Sequence, residues 1–244
     1  SVKNWNGTYM GTMTMKQALG LSRNIPALKT FQKLGWKKSL AFALKLGMSP
    51  EINSDGSIYE THSIGAYNGE SPLSMAAAYA AFANGGYYIE PYSITKIVYK
   101  NSGEEKNYTT KKTQAMSDST AYIITDILRW AVTDGLSSNA RVSGIEVASK
   151  TGTTNYDEAT ITAHKLSSSA INDSWIIAYT QSYSLAIWYG YDTISNVNYN
   201  TAGANKTLIK AVVKAVFTEK GETFTIPDSV VKVSVEKDSD KLIG

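Results

Sequence analysis

The chain has 244 residues, of which 43% are hydrophobic and 18% charged, a composition typical of one large or two small folded domains. Its net charge of +3 is too small to indicate binding to nucleic acid, so no nucleic-acid partner is expected. The absence of cysteine excludes disulfides and thiolate catalysis, and the two histidines are too far apart in sequence to predict a metal site.

The N-terminal part of the chain predicts three helices. Thr14 is a candidate N-cap with Gln17 at the capping-box position, so a first helix begins there and ends near Gly20. Apolar residues then recur at helical spacing over residues 25–35, with a proline in the first turn and a glycine at the end. A third amphipathic helix is expected over residues 36–46. The few residues between the first two helices form a short connection.

The middle of the chain predicts loops, one helix and a pair of strands. Residues 49–68 are polar and rich in turn residues, which indicates a surface loop. An alanine-rich helix follows, with Ser71 as its N-cap and Gly85 at its end. Residues 87–99 predict a strand pair, and residues 100–112 predict a polar connection.

A long amphipathic helix is expected over residues 117–133, followed by a loop over residues 134–144. We expect four apolar side chains on its buried face: Ile123, Ile127, Leu128 and Trp130.

The C-terminal half predicts a sheet and a closing helix. A half-apolar strand leads into Lys150, and the polar residues 156–169 are expected to form an irregular, mobile flap. Two apolar strands over residues 173–180 and 183–191 are separated by two polar residues, which indicates a hairpin. Residues 207–218 predict the last helix.

Helices precede strands along the chain, and no alternation of strand and helix is visible. This order predicts an α+β fold, in which an antiparallel sheet is flanked by helices on both faces. We place the domain at residues 1–220 and treat residues 221–244 as a tail with weak strand character.

The most informative stretch is Lys150-Thr151-Gly152-Thr153-Thr154. Lys150 offers a positive charge, and Thr151 and Thr153 point to one face of an extended strand because they are two residues apart. Gly152 carries no side chain, so another chain or a ligand can lie close to its backbone. We expect a strand edge that binds an extended peptide with a terminal carboxylate.

Together with Ser22-Arg23-Asn24 between the first two helices, this stretch gives the chain a family resemblance. A Ser-x-Asn motif followed at a distance by Lys-Thr-Gly is the signature of penicillin-binding proteins and class A β-lactamases. Over about residues 4–220 the chain resembles the second half of the transpeptidase domain of a class A penicillin-binding protein. The residues around Ser22, the alanine-rich helix and residues 150–156 all resemble that family.

The family's nucleophile motif, Ser-x-x-Lys, is the main departure. Met13-Thr14-Met15-Lys16 is similar to it but has methionine in place of the serine, and it lies too close to Ser22. We expect no Ser-x-x-Lys in this chain. Either the nucleophilic serine lies on an N-terminal fragment of the same protein, which is the expected partner, or the sequence is truncated before it.

The resemblance implies a role for each candidate residue. Ser22 would relay a proton to the departing nitrogen, Asn24 would hold the donor peptide or support the base, and Lys150 would polarise Ser22 and attract a carboxylate. Among the expected substrate-binding residues, Thr151 and Thr153 would bind that carboxylate, with Gly152 and Thr154 beside them. The backbone N–H of Thr153 would be one oxyanion-hole donor. Arg23 is expected to face solvent or to pack structurally.

The implied enzyme is a serine-type D,D-transpeptidase that cross-links peptidoglycan stem peptides ending in D-Ala-D-Ala and is acylated by β-lactams. It would need no cofactor and would work at the extracytoplasmic face of the bacterial cell membrane. Two alternatives remain open: a β-lactamase or D,D-carboxypeptidase, in which water resolves the acyl-enzyme, and a non-catalytic penicillin-binding-like scaffold.

Overall fold

The computed structural model describes residues 2–168, 170–194 and 204–234, with the side chains of residues 204–206 left aside. The helices of this part are α1 (Met15–Gly20), α2 (Asn24–Leu34), α3 (Trp36–Lys45), α4 (Pro72–Ala83), α5 (Asp118–Thr133), α6 (Glu158–His164) and α7 (Ala204–Val216). The strands are β1 (Tyr87–Ile89), β2 (Lys96–Val98), β3 (Glu105–Asn107), β4 (Lys112–Gln114), β5 (Ala148–Asn155), β6 (Ile171–Tyr179) and β7 (Ser184–Gly190). Short 3-10 helices lie at Glu60–Ile64 and Ser138–Ala140.

Local signals in the sequence set the ends of several helices. The Thr14 hydroxyl accepts from the backbone of Gln17, and the Gln17 side chain accepts from Thr14 in return, so the predicted capping box is confirmed. Ser71 caps α4 and a proline follows at its first position. The chain leaves α2 through Gly35, whose φ of +84° is accessible to glycine at little cost.

The central sheet has three antiparallel strands in the order β5-β6-β7, which confirms the predicted hairpin. Lys150 lies opposite Ile177, and Gly152 lies opposite Trp175. Within the part of the chain that the structure describes, β5 pairs only with β6, so its other edge is open.

Helices cover both faces of this sheet, as predicted. Ala178 of β6 packs in a cluster with Ile209 and Val213 of α7. Its neighbour Tyr179 points to the opposite face, where it contacts Phe82 of α4 and packs in one cluster with Leu128 of α5. The α+β prediction is therefore confirmed.

The predicted strand pair over residues 87–99 is only partly right. β1 and β2 form there but do not pair with each other, because β1 pairs with β4 and β2 with β3. Both partner strands lie within or beside residues 100–112, which we expected to form a polar connection. Each of these strands has three residues, too few to show an alternating pattern in the sequence.

Two further local predictions are wrong. Residues 158–164 of the predicted irregular flap form α6, because Asp157 caps the helix by accepting a hydrogen bond from the Thr160 backbone. Ile123, expected on the buried face of α5, is half exposed, and Thr125 is buried instead. The Thr125 hydroxyl is hydrogen-bonded to Tyr179, which explains how a polar residue is accommodated there.

The described part of the predicted tail lies against the domain. Phe224 is buried in the cluster around Tyr179, and its backbone N–H donates to Glu146. Residues 230–234 form no strand, and the remaining tail lies outside the described residues. The described helices include none that is both long and apolar enough for a membrane span.

Candidate active site

The turn that carries Ser22 is positioned by the packing of α1 on α5. Gly20, the last residue of α1, lies so close to Trp130 that a Cβ at this position would come within 2.4 Å of the indole ring. Ser22 has a φ of +52°, in the left-handed region that residues other than glycine rarely adopt. Such backbone conformations persist where the surrounding structure holds them, and they are frequent at functional sites.

Lys150 of β5 reaches this turn. Its Nζ donates to the Ser22 Oγ at 2.8 Å and to the Thr151 backbone carbonyl at 2.7 Å, and Lys150 and Ser22 are 128 residues apart in sequence. Because the ammonium group can only donate, the Ser22 oxygen is the acceptor and its own proton remains available for donation. The fold therefore brings the Ser-x-Asn and Lys-Thr-Gly motifs into direct contact through a cation and a hydroxyl.

Burial changes the charge chemistry of Lys150. It lowers the pKa of the ammonium group from 10.5 to about 8, since the charged form loses water contacts. At neutral pH most molecules still carry the proton, so Lys150 is a cation that lies close to its titration point. Such a group can polarise Ser22 and can also respond to small changes in its surroundings.

This shift predicts a measurable dependence of stability on pH. The folded pKa lies below the unfolded value, so between about pH 8 and pH 10.5 the unfolded chain binds more protons and stability from this group rises with pH. The full effect is on the order of 3 kcal/mol. Urea unfolding of the wild type and of Lys150→Met, measured from pH 7 to pH 10, isolates the contribution. If the difference between the two proteins does not change with pH, the buried ammonium is wrongly assigned.

Arg23 and Asn24 bind the N-terminal loop. The Arg23 guanidinium is buried and donates to the Asn6 side chain at 2.7 Å. Of the two expectations for Arg23, exposure to solvent is therefore wrong and structural packing is confirmed. The Asn24 Nδ2 donates to the Lys3 carbonyl at 2.8 Å. Of the two predicted motif residues on this turn, Ser22 contacts Lys150, whereas the hydrogen bond recorded for the Asn24 side chain leads to Lys3.

The predicted substrate-binding residues lie along β5 on alternating faces. Thr151 and Thr153 share one face, opposite Ile176 and Ser174 of β6, while Lys150 points to the other. Thr153 is exposed and Thr151 is half buried. A Cβ at Gly152 would lie 3.3 Å from the Trp175 Cβ, so the missing side chain lets β5 and β6 pack closely here.

Asp173, which the sequence analysis missed, organises the end of β5. Its carboxylate accepts from the Thr154 hydroxyl at 2.5 Å, from Asn172 at 2.8 Å and from the Trp188 indole N–H at 2.9 Å. Thr154, one of the predicted substrate-binding residues, therefore uses its hydroxyl proton within the protein. The sequence feature that could have identified Asp173 is its position near the start of an apolar strand. A carboxylate is costly to place there unless its oxygens accept hydrogen bonds.

Replacing Asp173 with alanine is expected to lower the free energy of unfolding by roughly 1–3 kcal/mol, because Thr154 and Trp188 lose their acceptor. The measurement is urea unfolding followed by tryptophan fluorescence, which also reports on Trp188. The matched control is Asp192→Ala, since Asp192 is exposed just beyond β7. Equal stability of the two variants would show that the Asp173 network does not stabilise the strand end.

The Ser-x-x-Lys spacing does occur in the chain, beginning at Ser93, Ser229 and Ser234, so the expectation that it is absent is wrong. Among the described residues, neither Ser93 nor Ser229 begins a helix that could place a lysine one turn later, and Lys237, the partner of Ser234, lies outside the described residues. Lys96, the partner of Ser93, is paired with Glu105, and the Ser229 hydroxyl donates to Asp118. No contact recorded among the described residues joins Ser93 or Ser229 to Ser22 or Lys150.

Two cavities among the described residues have linings that include neither Ser22 nor Lys150. One of about 200 Å³ is lined by Phe82, Tyr122 and Phe224, and one of about 260 Å³ lies between Arg129 and Arg141. The paired motifs lie instead beside the open edge of β5. Among the described residues no group of three or more metal-ligating side chains is close enough to hold an ion.

An α+β domain in which a Ser-x-Asn turn meets a Lys-Thr-Gly strand defines the class of proteins that includes penicillin-binding proteins and class A β-lactamases. Within that class the chain belongs to the family described as the penicillin binding protein transpeptidase domain, which it matches over residues 1–217. The predicted resemblance to a class A penicillin-binding protein is confirmed by its relatives.

Two of these relatives show how much of a longer protein the chain represents. It is 38% identical to penicillin-binding protein 1A/1B of Bacillus subtilis over 248 residues, which cover 100% of the chain and 27% of that protein. It is 36% identical to penicillin-binding protein 1A of Streptococcus pneumoniae, over 95% of the chain and 33% of that protein. The chain thus spans about a third or less of the length of these relatives.

Solved structures support the fold. Penicillin-binding protein 1A from Haemophilus influenzae is similar with a TM-score of 0.76 and 22% identity, covering 99% of this chain and 40% of that one. The D,D-transpeptidase domain of a peptidoglycan glycosyltransferase from Eggerthella lenta is similar with a TM-score of 0.63 and 24% identity, over 88% of this chain and 57% of that one.

Proposed function

We propose that the chain forms one wall of the active site of a serine D,D-transpeptidase, which cross-links peptidoglycan stem peptides and is acylated by β-lactams. The observation that carries the proposal is the 2.8 Å contact between Lys150 Nζ and Ser22 Oγ. Family membership and relatives named penicillin-binding protein 1A support it. The nucleophilic serine comes from a portion of the same protein that precedes this chain.

The proposed reaction begins when that serine attacks the carbonyl carbon between the last two D-alanines of a stem peptide. The serine proton passes to a base on the same helix, the carbon–nitrogen bond breaks, and Ser22 delivers a proton to the leaving amine. An amine of a neighbouring stem peptide then attacks the ester and releases the serine. No cofactor takes part in these steps.

Lys150 acts on this sequence through Ser22. A hydroxyl that accepts a hydrogen bond from a cation gives up its own proton more readily, since the negative charge left on oxygen is stabilised. The same ammonium attracts the terminal carboxylate of the peptide. Its low pKa keeps both the charged and the neutral form within reach near neutral pH.

The open edge of β5 is the proposed seat of the peptide. Thr151 and Thr153 bind the terminal carboxylate, and the Thr153 N–H supplies one oxyanion-hole donor, with the nucleophile's own N–H as the other. Asn24 holds the donor peptide through its Oδ1, because an N–H of the same amide is donated to Lys3. The absence of a side chain at Gly152 lets β5 pack closely against β6, and the Thr154 hydroxyl is held by its hydrogen bond to Asp173.

Product analysis tests this function. The full-length protein is incubated with a D-Ala-D-Ala stem peptide and an amine acceptor. In the cell, we propose that it acts at the extracytoplasmic face of the cell membrane. We expect free D-Ala together with the amide-linked product. Release of D-Ala with only hydrolysed peptide would favour a carboxypeptidase, rapid turnover of penicillin would favour a β-lactamase, and no release at all would favour a non-catalytic scaffold.

A further inference from the structure

The modest net charge of the chain conceals a strong asymmetry. The first 50 residues contain seven lysines and one arginine but no aspartate or glutamate, although the whole chain has a net charge of only +3. The remaining residues are therefore net acidic. A segment with one sign of charge produces a local potential that the overall charge does not reveal.

Five of these cations form what we call the α2–α3 lysine surface: Lys29, Lys33, Lys37, Lys38 and Lys45. All five are exposed, and none forms an ion pair with the residues that the structure describes. The two helices that carry them are consecutive and are joined by the single residue Gly35. Lys37 also lies over the Trp36 ring.

The arrangement of side chains on α3 argues against insertion into a lipid bilayer. Phe42 and Leu44 are exposed, but viewed down the axis of α3 they lie about 160° apart, and lysines occupy the middle of the arc between them. A helix that lies in a membrane interface has the opposite pattern, with apolar residues at the centre of the buried face and lysines at its borders. The surface is therefore cationic at its centre.

The lysines are also spread out and do not converge on one point. Lys29 and Lys33 are one turn apart, about 6 Å along α2, and Lys38 and Lys45 are about 10 Å apart along α3. A single phosphate ion would contact one or two of them. A flexible chain with regularly repeated negative charges can contact all five, and each contact releases a counterion that was condensed on that chain.

We propose that the α2–α3 lysine surface binds a linear polyanion of the polyphosphate type. None of the five lysines belongs to the proposed peptide site: Lys150 lies on β5, and Lys29, the first lysine of the surface, lies five residues after Asn24, where α2 begins. The partner is defined by its repeated phosphate charges and its extended form. Such binding would hold the domain against an anionic polymer while β5 remains open to substrate.

The test measures binding of the full-length protein to long-chain inorganic polyphosphate by fluorescence anisotropy at low and moderate salt. In one variant the five lysines of the α2–α3 surface are replaced by glutamine. In the matched control, five lysines of the small strands and their loops are replaced by glutamine: Lys96, Lys100, Lys106, Lys111 and Lys112. The two variants have the same net charge, so the comparison separates the location of the lysines from the total charge.

We expect the Kd to rise at least tenfold in the α2–α3 variant and less than twofold in the control, with a shallower salt dependence only in the former. Orthophosphate at equal phosphate concentration should not compete. Equal loss in both variants would overturn the proposal in favour of net charge. Binding to phosphatidylglycerol vesicles in the absence of polyphosphate binding would overturn it in favour of a membrane surface. Penicillin acylation should be unchanged in both variants.

Discussion

Replacing Lys150 with methionine is expected to slow acylation of the complete protein by benzylpenicillin about a hundredfold or more, the size of effect seen when one preorganised electrostatic group is removed from an acyl-transfer site. The reason is the contact from Lys150 Nζ to Ser22 Oγ, which is the only link recorded between the two motifs among the described residues. Without the ammonium, Ser22 is a weaker proton donor. The measurement is the second-order rate of labelling by a fluorescent penicillin.

The control for this variant is Lys165→Met, because Lys165 is an exposed lysine at the end of α6. Its labelling rate should stay within about twofold of the wild type, as expected for a surface change. At pH 7 Lys150→Met should be at least as stable as the wild type, since it removes a buried charge. Slow labelling together with loss of stability would instead mean that the lysine only supports the fold.

Replacing Phe224 with alanine is expected to lower the free energy of unfolding by about 3–5 kcal/mol, the usual result of removing a buried phenylalanine. Phe224 is 6% exposed and lies against Tyr179 with the ring centroids 5.6 Å apart. Phe224 is therefore a buried residue that follows residue 220, where we predicted that the domain ends. Urea unfolding therefore tests whether the segment after residue 220 is part of the cooperative unit.

The matched variant is Ile226→Ala, two residues further along and 58% exposed. It should change the free energy of unfolding by no more than about 0.5 kcal/mol, because the side chain has little contact to lose. A Phe224→Ala protein as stable as Ile226→Ala would mean that the segment is a detachable tail, and the boundary at residue 220 would stand.

Features of the fold that depend on neighbouring residues could be predicted from the sequence. The capping box at Thr14, the Ser71 cap and the β6–β7 hairpin each follow from a few residues whose local geometry is restricted. The helix α6 was missed because its seven residues are mostly polar, and an Asp157 cap three residues before Thr160 is a weak signal in such a segment.

Features that depend on distant residues could not be predicted. The partners of β1 and β2 are set by tertiary packing, and three-residue strands have no periodicity of their own. The pairing of Ser-x-Asn with Lys-Thr-Gly could be anticipated only through the family resemblance. The bond from Asn24 to Lys3 and the Asp173 network are contacts between side chains whose directions the sequence does not specify.

Intact-mass analysis and peptide mapping of the full-length protein after brief exposure to penicillin identify the residue that is acylated. We expect one penicilloyl group per protein, on a serine that precedes this chain, and we expect Lys150→Met to slow its appearance greatly. An adduct on Ser22, Ser93 or any other residue of this chain, or no adduct on a folded protein, would contradict this expectation.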